Sequence, residues 1–333
     1  MVTIHDIAKK ANCSAMTVSR VINNTGRISD ATRKRVKAIM EEMHYVPNAH
    51  ARCLTLQETK MLSIFVPDIT TPFGALLARG AEDTASRLGY RVMISNTDES
   101  DEKERSAIRS ILSARVDGVI MVPAGDSSIR HLELLKIHNI PVVVVDHDVP
   151  GMDADAVLGD PAEGSRLLIN YLIQQGHQHI ALLNSTVDRS TSRLLERGYT
   201  ETLLLHGIEQ LAPIRMDMKD LDRACEQTVE HLLQLDPRPT AILAANYRIA
   251  ATAIRALRKR GFDVPTDLSV VCFNDLEPTY LLDPFMTVAA QQAYEFGTLS
   301  VQMLHDRLQA NAQQSRTIVL PPKLVVRQSC AVR

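Results

Sequence analysis

The stretch Ser14-Ala15-Met16-Thr17-Val18-Ser19-Arg20-Val21-Ile22-Asn23 gathers one guanidinium, three hydroxyls and two apolar side chains small or supple enough to meet a flat surface. Arg20 carries the planar fork that pairs bidentately with guanine, whereas Ala15 and Met16 can only pack, most naturally against a thymine methyl. Thr17 and Ser19 suit phosphate oxygens, contacts that set register without carrying sequence information. This chemistry requires a helix whose first turns enter a DNA major groove. Candidate chemistry elsewhere is thinner. His177, His179 and Asp146-His147-Asp148 have no recognised metal spacing, and the chain has neither a Gly-x-Ser-x-Gly nucleophile motif nor a glycine-rich phosphate loop. His177 and His179 stand just before an apolar run, as loop residues do. No catalytic constellation, metal or cofactor is expected.

Three short helices must position the first set. Thr3 and Asp6 have the spacing of a capping box, after which Ile4, Ile7, Ala8 and Ala11 share one helical face. Cys13 and Ser14 mark a tight turn, and Ser14 is placed to cap a second helix burying Val18, Val21 and Ile22. Asn23-Asn24-Thr25-Gly26 ends it. Ser29 can cap a third helix in which Val36, Ile39, Met40 and Met43 recur at amphipathic spacing. Two helices across a tight turn with a packing helix behind them describe a helix-turn-helix.

Charge supports that division. The chain of 333 residues has a formal net charge of -2, yet residues 1–60 carry ten Lys and Arg against five Asp and Glu, which leaves -7 on the remainder. A basic head on an acidic body confines electrostatic contact with phosphate to one end. The five cysteines, Cys13, Cys53, Cys225, Cys272 and Cys330, are scattered and odd in number, so a reduced, cytoplasmic setting without structural disulfides is expected. The N-terminus runs directly into a capped helix and no apolar run is long enough to span a bilayer, which argues against a signal peptide and a membrane partner.

From Met61 the pattern changes. Short Val- and Ile-rich runs, Met61 to Val66, Tyr90 to Ile94, Gly118 to Val122, Pro141 to Val145, Ile180 to Leu183, Thr240 to Ala244 and Leu268 to Phe273, read as strands covered on both faces. Helical stretches alternate with them: Leu76 to Leu88, Glu102 to Ala114, Ser128 to Ile137, Glu163 to Gln175, Arg193 to Leu205, Asp222 to Leu235 and Ala250 to Arg260. This predicts a doubly wound α/β body, too long for one sheet and therefore split into two subdomains.

The head resembles the lactose-repressor and purine-repressor (LacI-type) family of bacterial transcription regulators. The resemblance rests on Thr3-Ile4-His5-Asp6-Ile7-Ala8, on Ser14 with Thr17-Val18-Ser19-Arg20-Val21-Ile22-Asn23, and on Tyr45-Val46-Pro47-Asn48 leading into Ala51-Arg52-Cys53-Leu54. It implies that Thr3, Asn23, Tyr45, Asn48, Ala51 and Arg52 join the recognition residues at operator DNA. It also implies that the last segment is a hinge helix whose leucine, Leu54, wedges into the minor groove, an insertion that costs a few kcal/mol per base step and is offset by wider contacts. Residues 1–46 would then be the headpiece, 47–60 the hinge and linker, and 61–333 an effector-binding and dimerisation body.

The body is similar to the periplasmic-binding-protein type of sensor of that family, through Pro67-Asp68-Ile69-Thr70-Thr71-Pro72-Phe73, Val116-Asp117-Gly118, Gly176-His177, Arg197-Gly198-Tyr199, Val264-Pro265 and Leu324-Val325-Val326-Arg327. The resemblance implies three crossings between subdomains, near Asp160, Gln292 and Leu320, with one subdomain at about 61–160 and 293–320 and the other at about 161–292 and 321–330. A small effector would occupy the cleft between them. Carried over from the family, Phe73, Asp146, His147, Arg189, Thr191, Arg193, Asn246, Tyr247, Asn274 and Asp275 would line it.

Several of these positions depart from the family pattern. The usual aromatic after Phe73 is Gly74, an expected arginine is Leu195, the acidic neighbour of Asn246 is Tyr247, the first acid of a Phe-Asp-Asp motif is Asn274, and another acid is Gly159. Fewer acids beside Arg189, Arg193 and Arg248 favour a polar, anionic effector such as a sugar acid or phosphorylated sugar, because arginine pairs with carboxylate and phosphate. The alternative is a degenerate pocket with a protein co-regulator docking on the body. The function expected is a repressor of carbohydrate or sugar-acid genes that binds a pseudo-palindromic operator as a homodimer, one headpiece per half-site. A solute-binding protein and a sugar-converting enzyme are the rivals of another class; the headpiece speaks against the first and the missing catalytic groups against the second.

Overall fold

The computed structural model describes residues 2–23, 25–45, 59–186, 189–274, 284–310 and 314–333. The chain falls into two compact units, Met1–Lys60 and Met61–Arg333.

The smaller unit consists of α1 (Ile4–Lys10), α2 (Ala15–Ile22) and α3 (Asp30–Glu42). Each begins at a hydroxyl cap. Thr3 and Asp6 form a reciprocal capping box, Thr3 N–H donating to Asp6 Oδ2 at 2.8 Å and Asp6 N–H to Thr3 Oγ1 at 3.3 Å. Ser14 Oγ accepts from Thr17 N–H at 3.1 Å, and Ser29 Oγ from Thr32 N–H at 3.3 Å. Such caps satisfy amides that have no partner within the helix. Ile7, Ala8, Ala11, Val18, Val21 and Val36 form the small core, with Ile39, Met40, Met43 and Tyr45 packed around it.

In the larger unit the chain runs β1 (Met61–Val66), α4 (Pro72–Arg87), β2 (Arg91–Asn96), α5 (Asp101–Ala114), β3 (Gly118–Met121), α6 (Ile129–Ile137), β4 (Val142–Asp146) and β5 (Asp155–Gly159). It continues through α7 (Pro161–Gln174), β6 (Ile180–Ser185), α8 (Ser190–Leu205), β7 (Ile214–Met216), α9 (Leu221–Gln234), β8 (Ala241–Ala244), α10 (Tyr247–Lys259), β9 (Ser269–Phe273) and β10 (Thr287–Ala290). The last elements are α11 (Ala293–Ala310), β11 (Thr317–Leu320) and β12 (Lys323–Val325). Two six-stranded sheets result, ordered β11-β5-β4-β3-β1-β2 and β12-β10-β9-β8-β6-β7. All pairs are parallel except β10 with β12. The central strands are buried on both faces, as their unbroken Val and Ile runs require.

The chain passes between the sheets three times: from β5 into α7, from β10 through Gln291 into α11, and from β11 through Pro321-Pro322 into β12. Strands β5, β7, β10, β11 and β12 and helix α11 are additional to those read from the sequence. Their signal is weak for identifiable reasons. β7 and β12 have three residues each and β10 is half alanine, while α11 mixes apolar residues around its circumference because it packs on both α4 and the sheet.

The recognition helix and the inter-lobe cleft

On α2, Val18 and Val21 face the core while Met16, 65% exposed, and Arg20 project outward on one face, four residues apart. Ala15, Thr17 and Ser19 are half-buried beside them. The hydroxyls are already engaged: Thr17 Oγ1 lies 2.9 Å from Ser14 Oγ, and Ser19 Oγ accepts from Asn23 Nδ2 at 3.4 Å. Asn23 caps the C-terminus of α2, and its Oδ1 is buried with no hydrogen-bond partner among the described residues. Gly26, at φ 70°, lies under the Arg20 stem; a β-carbon there would stand 3.3 Å from Arg20 Cδ. The turn after α2 therefore supports the aliphatic part of the arginine and leaves its fork outward. Thr3 Oγ1 is committed to Asp6, donating to Oδ2 at 2.7 Å, and these bonds from Thr3 hold the Asp6 carboxyl below its usual range. Tyr45 packs on the helical core. Asn48, Ala51, Arg52 and Leu54, together with the predicted hinge, lie outside the described residues.

In the larger unit a cavity of about 410 Å³ opens between the two sheets. Its walls come from the carboxyl ends of strands: Pro67-Asp68 after β1, Asp98-Glu99 after β2, Val122 after β3, and Asp146-His147 at β4 on one side. On the other stand Asn184-Ser185 of β6, Met218 beyond β7, Asn246-Tyr247-Arg248 after β8, and Phe273-Asn274 at β9, with the start of α8 beside them. This is where open α/β sheets place ligands. Phe73, Asp146, His147, Arg189, Thr191, Asn246, Tyr247 and Asn274 are all brought together here. Arg193 is not: its guanidinium turns outward to Asp126 at 3.1 Å. Asp275 lies outside the described residues.

Each lining group has a definite state. Phe73 stands edge-on to Phe296, ring centroids 5.9 Å apart, which leaves its other surface for the cavity. Asn246 caps α10, its Oδ1 accepting from Ile249 N–H at 3.0 Å, so its amide nitrogen is the group left over. Burial raises the Tyr247 phenol. Asp146 and Asn274 both take left-handed backbone conformations, φ 66° and 72°, at the ends of their strands. Non-glycine residues held there are strained and cluster at functional sites. Burial pushes the Asp146 carboxyl up to about 6 and holds His147 well below the ordinary imidazole range, so His147 is neutral.

Arg189, the residue preceding α8, is buried and bridges the lobes. Its Nε donates to the Ala124 carbonyl at 3.1 Å and its Nη1 to Glu99 Oε1 at 2.8 Å, while Nη2 has no hydrogen-bond partner among the described residues. Asp148 N–H donates to Ser190 Oγ at 2.9 Å, and Thr191 Oγ1 lies 3.3 Å from His147 Nδ1, along the same rim. At the opposite, hinge side, Gln291 Nε2 donates to Asp146 Oδ1 at 3.1 Å. Gln291 lies over Gly159, where a β-carbon would stand 2.5 Å from its amide nitrogen. The missing acid at Gly159 is thus the space that a crossing-strand amide occupies.

Sequence reasoning missed Asp68, Asp98 and Glu99, which with Asp146 set four carboxylates against the two guanidinium groups of Arg189 and Arg248 in the lining. The signal was available, since each follows the carboxyl end of a strand. The arginine surplus expected from the sequence is absent: Glu99 holds Arg189, and Arg193 is outside. His177 is buried with Nδ1 2.9 Å from Thr240 Oγ1 and Nε2 3.1 Å from the Ala331 carbonyl, a structural place. Among the described residues no three His, Cys, Asp or Glu are arranged to hold a metal ion, and no helix is long and apolar enough to cross a membrane.

Comparison with known proteins fits both halves. Residues 3–48 match the bacterial regulatory proteins of the lacI family, and residues 169–330 match a periplasmic binding protein-like domain. The chain is 34% identical to the HTH-type transcriptional regulator DegA of Bacillus subtilis (strain 168), over 98% of this chain and 97% of that one. It is 32% identical to the ribose operon repressor of Halalkalibacterium halodurans, over 99% and 97%. Among solved structures, the lac repressor dimer bound to operator and the anti-inducer ONPF superposes with a TM-score of 0.85 at 28% identity, covering 99% of both chains. The chain belongs to the lacI family of bacterial regulatory proteins.

Proposed function

We propose that this protein is a sequence-specific DNA-binding regulator of transcription, a cytoplasmic repressor that acts as a homodimer on a pseudo-palindromic operator and responds to a small polyhydroxylated effector. It is not an enzyme in this reading. Arg20 reads a guanine from α2, Ala15 and Met16 pack on the groove floor, and Thr3, Ser14, Thr17, Ser19 and Asn23 serve the phosphates. Tyr45, Asn48, Ala51, Arg52 and Leu54 carry the approach to the hinge. The lac repressor dimer on its operator supports the two-fold arrangement. The ribose operon repressor, named for a sugar operon, supports the effector class.

The observation that carries the effector reading is the cleft lining, where four carboxylates, three asparagine amides and the half-buried aromatics Phe73 and Tyr247 face one another. Carboxylates and amides are the bidentate partners of sugar hydroxyls, and an aromatic face covers a sugar's apolar side. An anionic ligand would meet four carboxylates against Arg248 and Arg189, and of Arg189 only Nη2 has no hydrogen-bond partner among the described residues. A neutral sugar therefore suits the site better than a sugar acid or phosphate. Calorimetric titration of the full chain with pentoses, hexoses, disaccharides and the corresponding acids tests this. Tight binding of a neutral sugar with none for its acid is expected; the opposite order overturns the choice of class. Operator binding is tested by selecting DNA from a random pool with the full chain, and recovery of no two-fold motif would sink that half of the reading.

A further inference from the structure

We propose that Glu104, which lies outside the cleft, is the positioning residue that holds the cleft rim in register for Arg189, so that the Glu104–His131 pair governs how firmly the two lobes latch. The regulatory meaning of the latch rests on the effector reading above; the test below does not.

Glu104 on α5 is fully buried. A carboxyl group taken out of water is costly unless each oxygen finds a polar partner, and here each does. Oε2 accepts the Ala124 N–H at 2.8 Å, and Oε1 pairs with Nδ1 of His131, itself buried on α6. Ala124's own carbonyl accepts Nε of Arg189 from the other lobe at 3.1 Å. The carboxylate and the guanidinium thus grip one residue from opposite sides without touching each other. The same loop is tied twice more. Asp101, on α5, accepts from Ser127 Oγ at 3.1 Å and Arg130 Nη2 at 3.2 Å, while Asp126 meets Arg193 of α8 at 3.1 Å.

The geometry explains why a two-ended polar group stands there. One end must accept the Ala124 N–H and the other must pair with the His131 imidazole, which comes from a different element. Glutamine can still do both, its oxygen taking Ala124 N–H and its amide nitrogen donating to Nδ1 of the other imidazole tautomer, whereas leucine gives Ala124 N–H no acceptor. A loosened Ala124 misaims the carbonyl that Arg189 needs, and Arg189 then keeps only Glu99 across the gap.

Hydrogen exchange on the full-length protein, with nothing added, tests the relay. Glu104→Leu should speed exchange about ten-fold in residues 122–128 and, across the cleft, in the first turns of α8 at Arg193 to Leu195, which Glu104 does not touch, whereas Glu104→Gln should stay near the wild type. In an Arg189→Ala background Glu104→Leu should no longer alter α8, because the link is already cut. Acceleration confined to the Glu104 lobe would overturn the proposal. Should Glu104→Leu fail to fold, His131→Phe and His131→Gln replace it: the first removes the polar partner of Glu104 Oε1 and should accelerate α8, the second keeps a polar partner and should restore it. Identical exchange in those two variants would equally overturn the relay. A screen in which no sugar binds the wild type removes the effector reading and leaves the exchange result standing on its own.

Discussion

Asp146→Asn should stabilise the protein at neutral pH and do so in a way that depends on pH. Asp146 ends β4 at φ 66° with a side chain 11% exposed. Burial pushes its carboxyl up to about 6 from 3.8, against the opposing pull of Gln291 and Arg189 and with help from Glu99. The folded chain therefore holds this proton more tightly than the unfolded one. The stability so gained is complete below about pH 4 and is lost as pH rises through about 6; two pK units correspond to ~3 kcal/mol. Asparagine keeps the oxygen that accepts from Gln291 and carries no charge to desolvate. The variant should match the wild type below pH 4 and exceed it by about 2–3 kcal/mol at pH 8. His147 acts in the other direction, because burial and then Arg189 hold its imidazole well below 6.5. Its contribution is present above 6.5 and fades on acidification. The two slopes offset each other in the wild type, so the informative quantity is the difference between the variant and the wild type. Urea unfolding of both at half-unit steps from pH 4 to 8 measures it. A constant difference across that range would refute the assignment of a desolvated carboxylate.

Three further changes probe the other parts. Arg20→Ala should weaken operator binding and relax preference at one base position by about 1–3 kcal/mol, read by binding to operators permuted at each position. Leu54→Ala should reduce operator affinity while sugar binding stays unchanged; equal operator affinity in that variant contradicts the hinge role. Gly159→Ala puts a β-carbon 2.5 Å from the Gln291 amide. It should cost about 1–3 kcal/mol through overpacking and, by displacing the Asp146 donor, raise the Asp146 carboxyl further, which titration of the variant's unfolding against pH would reveal.

Headpiece and body were legible to different depths. The three helices of the headpiece could be read with their caps at Thr3, Ser14 and Ser29, because capping is a local interaction between residues three apart. Of the seven strands that the sequence announced, six are buried on both faces; β2, at a sheet edge and half-exposed, was announced by its apolar run from Tyr90 to Ile94. Of the five that it did not announce, β7, β11 and β12 lie at sheet edges, where burial no longer selects apolar residues at every position, while β5 and β10 are interior strands interrupted by Asp155, Gly159 and Thr287 or built on alanine. Eight of the ten carried-over cleft residues meet at the cavity. Arg193 leaves it because α8 starts at Ser190, three residues earlier than the apolar pattern indicated, and the helical phase then turns that side chain toward Asp126. Glu99 could be placed at a strand's carboxyl end, but its ion pair to a residue ninety positions away could not be read from its neighbours. Gln291 and Gly159 are related only through the sheet that the crossings build.

The two sides of the cleft suggest how a ligand would act. At the hinge, Asp146 and Gln291 tie β4 to the segment that follows β10; at the open rim, Arg189, Ser190, Thr191 and Arg193 reach across to Glu99, Ala124, Asp148, His147 and Asp126. A ligand shifts the angle between the lobes only by the difference in its affinity for the two arrangements. A hydroxyl that accepts from the free Nη2 of Arg189 adds to the latch and favours the arrangement seen here. An oxyanion that takes Nη1 displaces Glu99, and the displaced carboxylate then repels it. Glu99 is therefore the group that separates a neutral from an anionic ligand at this rim. Glu99→Gln should weaken the rim for every ligand by removing the ionic half of the pair, and should lessen the preference for neutral sugars over acids by removing the repulsion. Titration of that variant with one sugar and its acid compares the two directly. An unchanged ratio of the two affinities would mean that Glu99 does not select between them.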